Sequence, residues 1–196
     1  MVGSRTMKTL GALVAAMTVG SIALILMETA PIRPPVTNLS AVSSLADESS
    51  EAISQTNVAI KAAKWRQIVI HTSVEPLDAD RDCHFVIDQS PGTDGKSVRS
   101  TSLWDRQVEG NHVFASGYNW NATSIGVCLI GDFSQTPPTA SQMRSLIGLV
   151  RALQQTCGIT ADRVYLAGDI DPRTASPGAA FPARELNGSL LRPRER

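Results

Sequence analysis

Ser124-Ile125-Gly126-Val127-Cys128-Leu129-Ile130-Gly131-Asp132-Phe133 is followed, after a short polar break, by Thr139-Ala140-Ser141-Gln142 and a long run ending at Gly158. The first stretch is apolar at nearly every position. Both of its faces must therefore be covered, which marks a central strand. The second stretch opens with Thr139 and Gln142 at the spacing of a capping box. Met143, Leu146, Ile147, Val150, Leu153 and Cys157 then recur at helical spacing along one face. Gly158 suits the left-handed residue that ends a helix. A doubly buried strand followed by a helix long enough to cover it implies layered α/β architecture.

Working outward, Gln67–His71 and Cys83–Asp88 are short apolar runs that read as further strands. Ser90–Lys96 is a turn rich in Pro, Gly and Asp, and Val98–Trp104 reads as a third strand. Arg163–Ala167 reads as the strand after the helix. The expected fold is a mixed central β-sheet flanked by helices, spanning residues 64–187, with a tail over 188–196.

The N-terminal third is different in kind. Residues 10–27 carry no charge and are mostly Leu, Ala, Val, Ile and Met. At about 1.5 Å per residue such a run crosses a hydrocarbon layer of roughly 30 Å. Arg5 and Lys8 precede it, so the positive-inside bias puts residues 1–9 in the cytoplasm. The expectation is a single-pass anchor in the cytoplasmic membrane with the rest of the chain extracytoplasmic. A cleaved signal peptide is the competing reading, with a poor cleavage site because Glu28 and Pro31 flank Thr29 and Ala30. Residues 28–63 are expected to be a linker, with a weak helix around Asp47–Lys61.

The 196 residues hold 18 basic and 18 acidic side chains and only 5% aromatics. Balanced charge and few stacking rings argue against a nucleic-acid partner. Three cysteines leave at least one free thiol. Cys128 reads as a small buried hydrophobe, a Cys83–Cys157 pair stays open, and no Cys-x-x-Cys suggests a thiolate cage.

The order of short segments is more specific than any one of them. Ile68-Val69-Ile70-His71 comes first, then His84-Phe85-Val86-Ile87-Asp88, Asn111-His112 and Gly117-Tyr118-Asn119. The central strand, the Pro138-Thr139 helix opening, Arg173-Thr174-Ala175-Ser176-Pro177-Gly178 and Phe181-Pro182 complete the series. This series resembles the zinc N-acetylmuramoyl-L-alanine amidases of the bacteriophage-lysozyme type and their relatives, the peptidoglycan recognition proteins. The resemblance covers roughly residues 65–187. It implies a domain that binds peptidoglycan or muropeptides. In the active members it also implies a Zn²⁺ on two His and a Cys or Asp, with an open position for water.

Carried over residue by residue, the resemblance puts His71 at the first metal-ligand position. The second falls on Gly168 or, one residue on, Asp169; the third falls on Ser176, whose neutral hydroxyl is a poor zinc ligand. Cys83 stands where the family has a catalytic Tyr, and Thr174 matches a Lys/Thr helper position. His112, Tyr118, Asn119, Arg173 and Thr174 are implied along the peptide groove. His84 is expected to be structural, and Trp104 and Trp120 are open between core and cleft rim. Only Thr72–Cys83 separates the first two strands, so the wall helix of the cleft is expected to be reduced or missing.

One metal ligand of three and one helper of two survive this comparison. The expected function is therefore muropeptide binding or sensing without hydrolysis and without a cofactor. An active amidase using zinc on His71, Asp169 and possibly Asp171 is the alternative. A relic scaffold that binds another protein is the third.

Overall fold

The computed structural model describes residues 39–192. The expected cytoplasmic segment 1–9, the anchor at 10–27 and the first part of the linker lie outside the described residues. No described helix is long and apolar enough to cross a membrane.

Five strands form one sheet in the order β3-β2-β4-β1-β5. They are β1 (Gln67–Ser73), β2 (Phe85–Ile87), β3 (Val98–Ser100), β4 (Ser124–Ile130) and β5 (Val164–Leu166). β4 pairs in parallel with β1 and β2, and β1 pairs in parallel with β5. β3 is the antiparallel edge beside β2. Every residue of β4 is buried, as a strand in the middle of a covered sheet must be. Successive side chains on a strand face opposite ways. Ile68, Ile70, Phe85, Ile87, Ile125, Val127 and Leu129 therefore face one layer, where Leu146, Leu149, Val150 and Leu153 meet them. The other face carries Val69, Val86, Cys128 and Ile130 in two smaller clusters.

The helix that covers the first face is Ala140–Cys157. The Thr139 hydroxyl accepts from Gln142 N and Gln142 Oε1 accepts from Thr139 N, each at 3.1 Å. Such a cap is worth on the order of 1 kcal/mol. Gln142 Nε2 also donates to Ile130 O at 2.9 Å, tying the helix start to the end of β4. Gly158 closes the helix at φ 69°, where a side chain would be strained.

Two elements differ from the sequence expectation. The stretch read as linker to residue 63 contains α1, Leu39–Ser54, and its Ala52 and Ile53 belong to the core. Polar tethers hold it: the Glu48 carboxylate accepts from Ser97 N and from Val98 N, the latter at 2.6 Å, the Glu51 carboxylate accepts from Lys96 Nζ, and Ile53 O accepts from Trp104 Nε1 at 2.8 Å. The strand read over Val98–Trp104 stops at Ser100. Thr101 caps a one-turn helix, Ser102–Asp105, that drives Trp104 into the core at 0% exposure. Between β1 and β2 the chain makes a seven-residue helix, Pro76–Asp82, of which only Ala79 is buried. The wall on that side of the sheet is about two turns long.

Candidate functional site

His71 lies near the C-terminal end of β1, directly opposite Cys128 in the parallel register with β4. Paired residues share a face, so the imidazole and the thiol project together. Cys128 Sγ stands 3.9 Å from His71 Nδ1. Cys83, which ends the short crossover helix, delivers a second sulfur to the same place. The three ligand atoms all lie within 4.8 Å of one another. Both cysteines are wholly buried, and His71 is half-buried. Cys83 Sγ and Cys128 Sγ lie within 4.8 Å of each other. That contact raises the Cys83 thiol well above its usual value and brings the Cys128 thiol down to about 6, with burial opposing the second shift and His71 assisting it.

The positions that the resemblance assigns to further metal ligands are engaged elsewhere. Ser176 Oγ accepts from Thr72 N at 2.9 Å and meets Thr72 Oγ1 at 3.1 Å. β5 ends at Leu166, opposite Ile70, and the Ser176 hydroxyl takes the backbone donor two residues beyond. Gly168 N donates to Ser176 O at 2.7 Å, and a Cβ at Gly168 would lie 3.0 Å from that same oxygen. Asp169 is exposed, and its Oδ2 accepts from Leu166 N at 3.3 Å. Among the described residues, neither Asp169 nor Asp171 joins His71 in a cluster of potential ligands. Thr174 Oγ1 accepts from Ser176 N at 3.2 Å, a turn contact inside the same loop.

The residues expected along the groove separate into two sets. His112 is not on an open groove: it is 3% exposed, with Nε2 2.7 Å from Ser124 Oγ. Burial, and then the nearby His84 and His71, push its pKa down to about 3. Room for the ring comes from Gly110 and Gly126, where a Cβ would stand 2.7 and 2.5 Å from His112 Nδ1. Gly126→Ala should therefore lower stability by about 1–3 kcal/mol. The urea midpoint should fall with the slope unchanged.

Tyr118, Asn119 and Arg173 remain at the surface. Tyr118 is 45% exposed, and its hydroxyl lies 2.9 Å from Thr123 Oγ1. Asn119 caps the turn Trp120–Thr123 through Ala122 N. Arg173 grips Asp171 with two parallel hydrogen bonds of 2.9 Å and stacks over the exposed Phe114 ring, 4.1 Å from its centroid. That pairing brings the Asp171 carboxyl down to about 2. The Arg173 guanidinium thus already holds a carboxylate of its own chain. Trp104 belongs to the core, while Trp120 is half-buried between Tyr118 and Tyr165.

The domain thus joins a five-stranded mixed sheet, the long covering helix Ala140–Cys157, a short crossover and a histidine near the end of the first strand. Residues 53–179 match the family profile described as N-acetylmuramoyl-L-alanine amidase. The chain belongs to the N-acetylmuramoyl-L-alanine amidase family. The amidase LysC from Clostridium intestinale superposes with a TM-score of 0.51 at 25% identity, over 68% of this chain and 90% of that one. The Escherichia coli amidase AmiD, solved with anhydro-N-acetylmuramic acid-L-Ala-D-γ-Glu-L-Lys, superposes with a TM-score of 0.56 at 23% identity, over 67% and 60% of the two chains. A peptidoglycan recognition protein of Bombyx mori is 40% identical over 58 residues, 30% of this chain. That match spans only 26% of the relative's length.

Two features of this amidase-family site escaped sequence reasoning. Cys128 sits in an apolar run, and nothing local shows that its register partner is His71. Asn121 is a clamp: its Oδ1 accepts from His112 N and Val113 N, and its Nδ2 donates to Val113 O. A separate surface pocket of about 630 Å³ opens beside Arg66, Gln67, Tyr118, Trp120 and Arg163. It lies at the start of β1, about 13 Å of strand away from His71.

Proposed function

We propose that this domain recognises muropeptides without hydrolysing them, displayed on the extracytoplasmic side of the membrane by a residue 10–27 anchor. Family membership supports peptidoglycan as the ligand class. The AmiD complex shows what a related fold takes up, an anhydromuramyl peptide. The observation that carries the non-hydrolytic half is the engagement of Ser176 by Thr72, together with the absence of a side chain at Gly168. The family's zinc set needs two further ligands beside His71. A hydroxyl already bonded to backbone, a glycine and an outward-turned Asp169 do not fit that set. No hydrolytic step is therefore derived through it.

Exposed Tyr118, Phe114 and the Arg173–Asp171 pair offer an aromatic and polar rim for a stem peptide. The experiment is a pair of measurements on the full chain. Calorimetry with a purified muropeptide should give saturable binding, and incubation with cell-wall fragments and added zinc should release no L-alanine-linked peptide. Zinc-dependent release would sink the reading. Absence of binding to any muropeptide would leave the scaffold alternative in its place.

A further inference from the structure

We infer that His71, Cys83 and Cys128 form a binding site for a thiophilic divalent cation of the Zn²⁺ class, distinct in two of its three ligands from the set the family resemblance implies. The argument begins with the sheet. Parallel pairing of His71 with Cys128 fixes an imidazole and a sulfur side by side. The crossover helix then ends with Cys83, which enters the same apolar cluster as Cys128 together with Ala79, Val86 and Ile130. Three donors from three segments thus converge from one side of the sheet.

The spacing suits one ion. A tetrahedral centre with bonds of ~2.3 Å to sulfur and ~2.0 Å to nitrogen separates its ligand atoms by roughly 3.6 Å. The observed Cys128 Sγ to His71 Nδ1 distance is 3.9 Å, and no pair in the triad exceeds 4.8 Å. A small inward movement of the side chains closes the difference. Two thiolates and an imidazole favour zinc-like or softer ions over magnesium or calcium, which take oxygen ligands. Both sulfurs are wholly buried and His71 is half-buried, so the ion would sit in an enclosed place.

The ion would pin β1, β4 and the end of the crossover helix together. That role needs neither Ser176 nor Asp169, and it does not depend on whether a muropeptide binds above it. Loss of metal uptake and loss of muropeptide binding are separate results.

The test uses the full chain in detergent, reduced and stripped of metal with a chelator, and titrated with Co²⁺ alone. One equivalent should bind with sulfur-to-cobalt charge-transfer absorption, Zn²⁺ should bleach that signal, and thermal stability should rise with metal. Cys83→Ala, Cys128→Ala and His71→Ala should each abolish stoichiometric uptake while circular dichroism shows retained fold; Cys157→Ala should leave it intact. The proposal is overturned if reduced, folded wild type takes up no Co²⁺. It is equally overturned if uptake survives both Cys83→Ala and Cys128→Ala, or if protein purified with zinc holds Cys83 and Cys128 as a disulfide.

Discussion

Lowering the pH from 7.5 to 5 should cost this domain on the order of 4 kcal/mol of stability through two buried imidazoles. His84 is wholly buried and its ring is fully committed. Its Nδ1 accepts from Gly126 N at 2.9 Å, which leaves the proton on Nε2 to donate to Val108 O at 2.9 Å. Burial, only partly opposed by the Val108 carbonyl, brings its pKa from 6.5 down to about 4. His112 is pushed to about 3, largely by burial. Both rings are therefore neutral in the native state at pH 5, while in the unfolded chain both are charged.

The sign follows from proton counting. The unfolded chain binds protons that the native chain refuses, so the stabilisation from these two imidazoles is complete above about pH 6.5 and falls as the pH drops. The fall levels off only near the folded values of about 4 and about 3. At pH 5 each unfolded imidazole lies about 1.5 pH units below its reference value, worth roughly 2 kcal/mol apiece. The lowered carboxyl of Asp171 acts below this window, since its stabilisation is lost only as pH falls from the ordinary carboxyl range to about 2. The Cys128 thiol, held near 6, leans in the same direction as the histidines above that pH. A subtraction separates them. Urea unfolding of His112→Gln at both pH values should show a drop smaller than the wild type's by about 2 kcal/mol. An equal drop in the two proteins would refute the imidazole origin.

The acid response also shows how much of this protein was legible from residue order. The Ile68–His71 strand, the all-apolar β4 and the capped helix to Gly158 were all readable, because each is a local periodicity with a local stop signal. His71 was readable as the end of a strand. Its partners were not. That His71 meets Cys128 is a consequence of parallel register between strands more than fifty residues apart, and a window around Cys128 shows only an apolar run. The resemblance implies His112 along a groove, yet it is buried. The signal that could have told otherwise was the pair Gly110 and Gly126, whose missing Cβ atoms make space for the ring only once the chain is folded. The α1 stretch reads as a linker with only a weak helix around Asp47–Lys61, because it has few large apolar residues. Its docking depends on Glu48 meeting two backbone donors, which no helix-face pattern records.

Trp104→Ala should be the most damaging single truncation in the domain, lowering stability by about 3–5 kcal/mol. The ring is 0% exposed and lies at the centre of an aromatic group. Phe85 is 4.7 Å away and Trp65 6.0 Å away, centroid to centroid, and His84 meets it edge-on at 6.5 Å. Removing it opens a cavity next to the buried His84 and leaves Ile53 O without its indole donor. The damage should therefore spread in two directions. Amide hydrogen exchange should rise along the end of α1, because Trp104 Nε1 is one of the tethers that hold that helix. The His84 pKa should climb back toward 6.5 as water reaches the ring, so the acid sensitivity should weaken in the same variant. Trp104→Phe keeps a ring but not the indole donor. It should recover most of the packing and none of the Ile53 contact, losing roughly 1 kcal/mol of hydrogen bonding plus a smaller packing deficit. If Trp104→Ala unfolds at the wild-type urea midpoint, or leaves α1 exchange unchanged, then the helix is held by its Glu48 and Glu51 contacts and the aromatic group is not the keystone inferred from its burial.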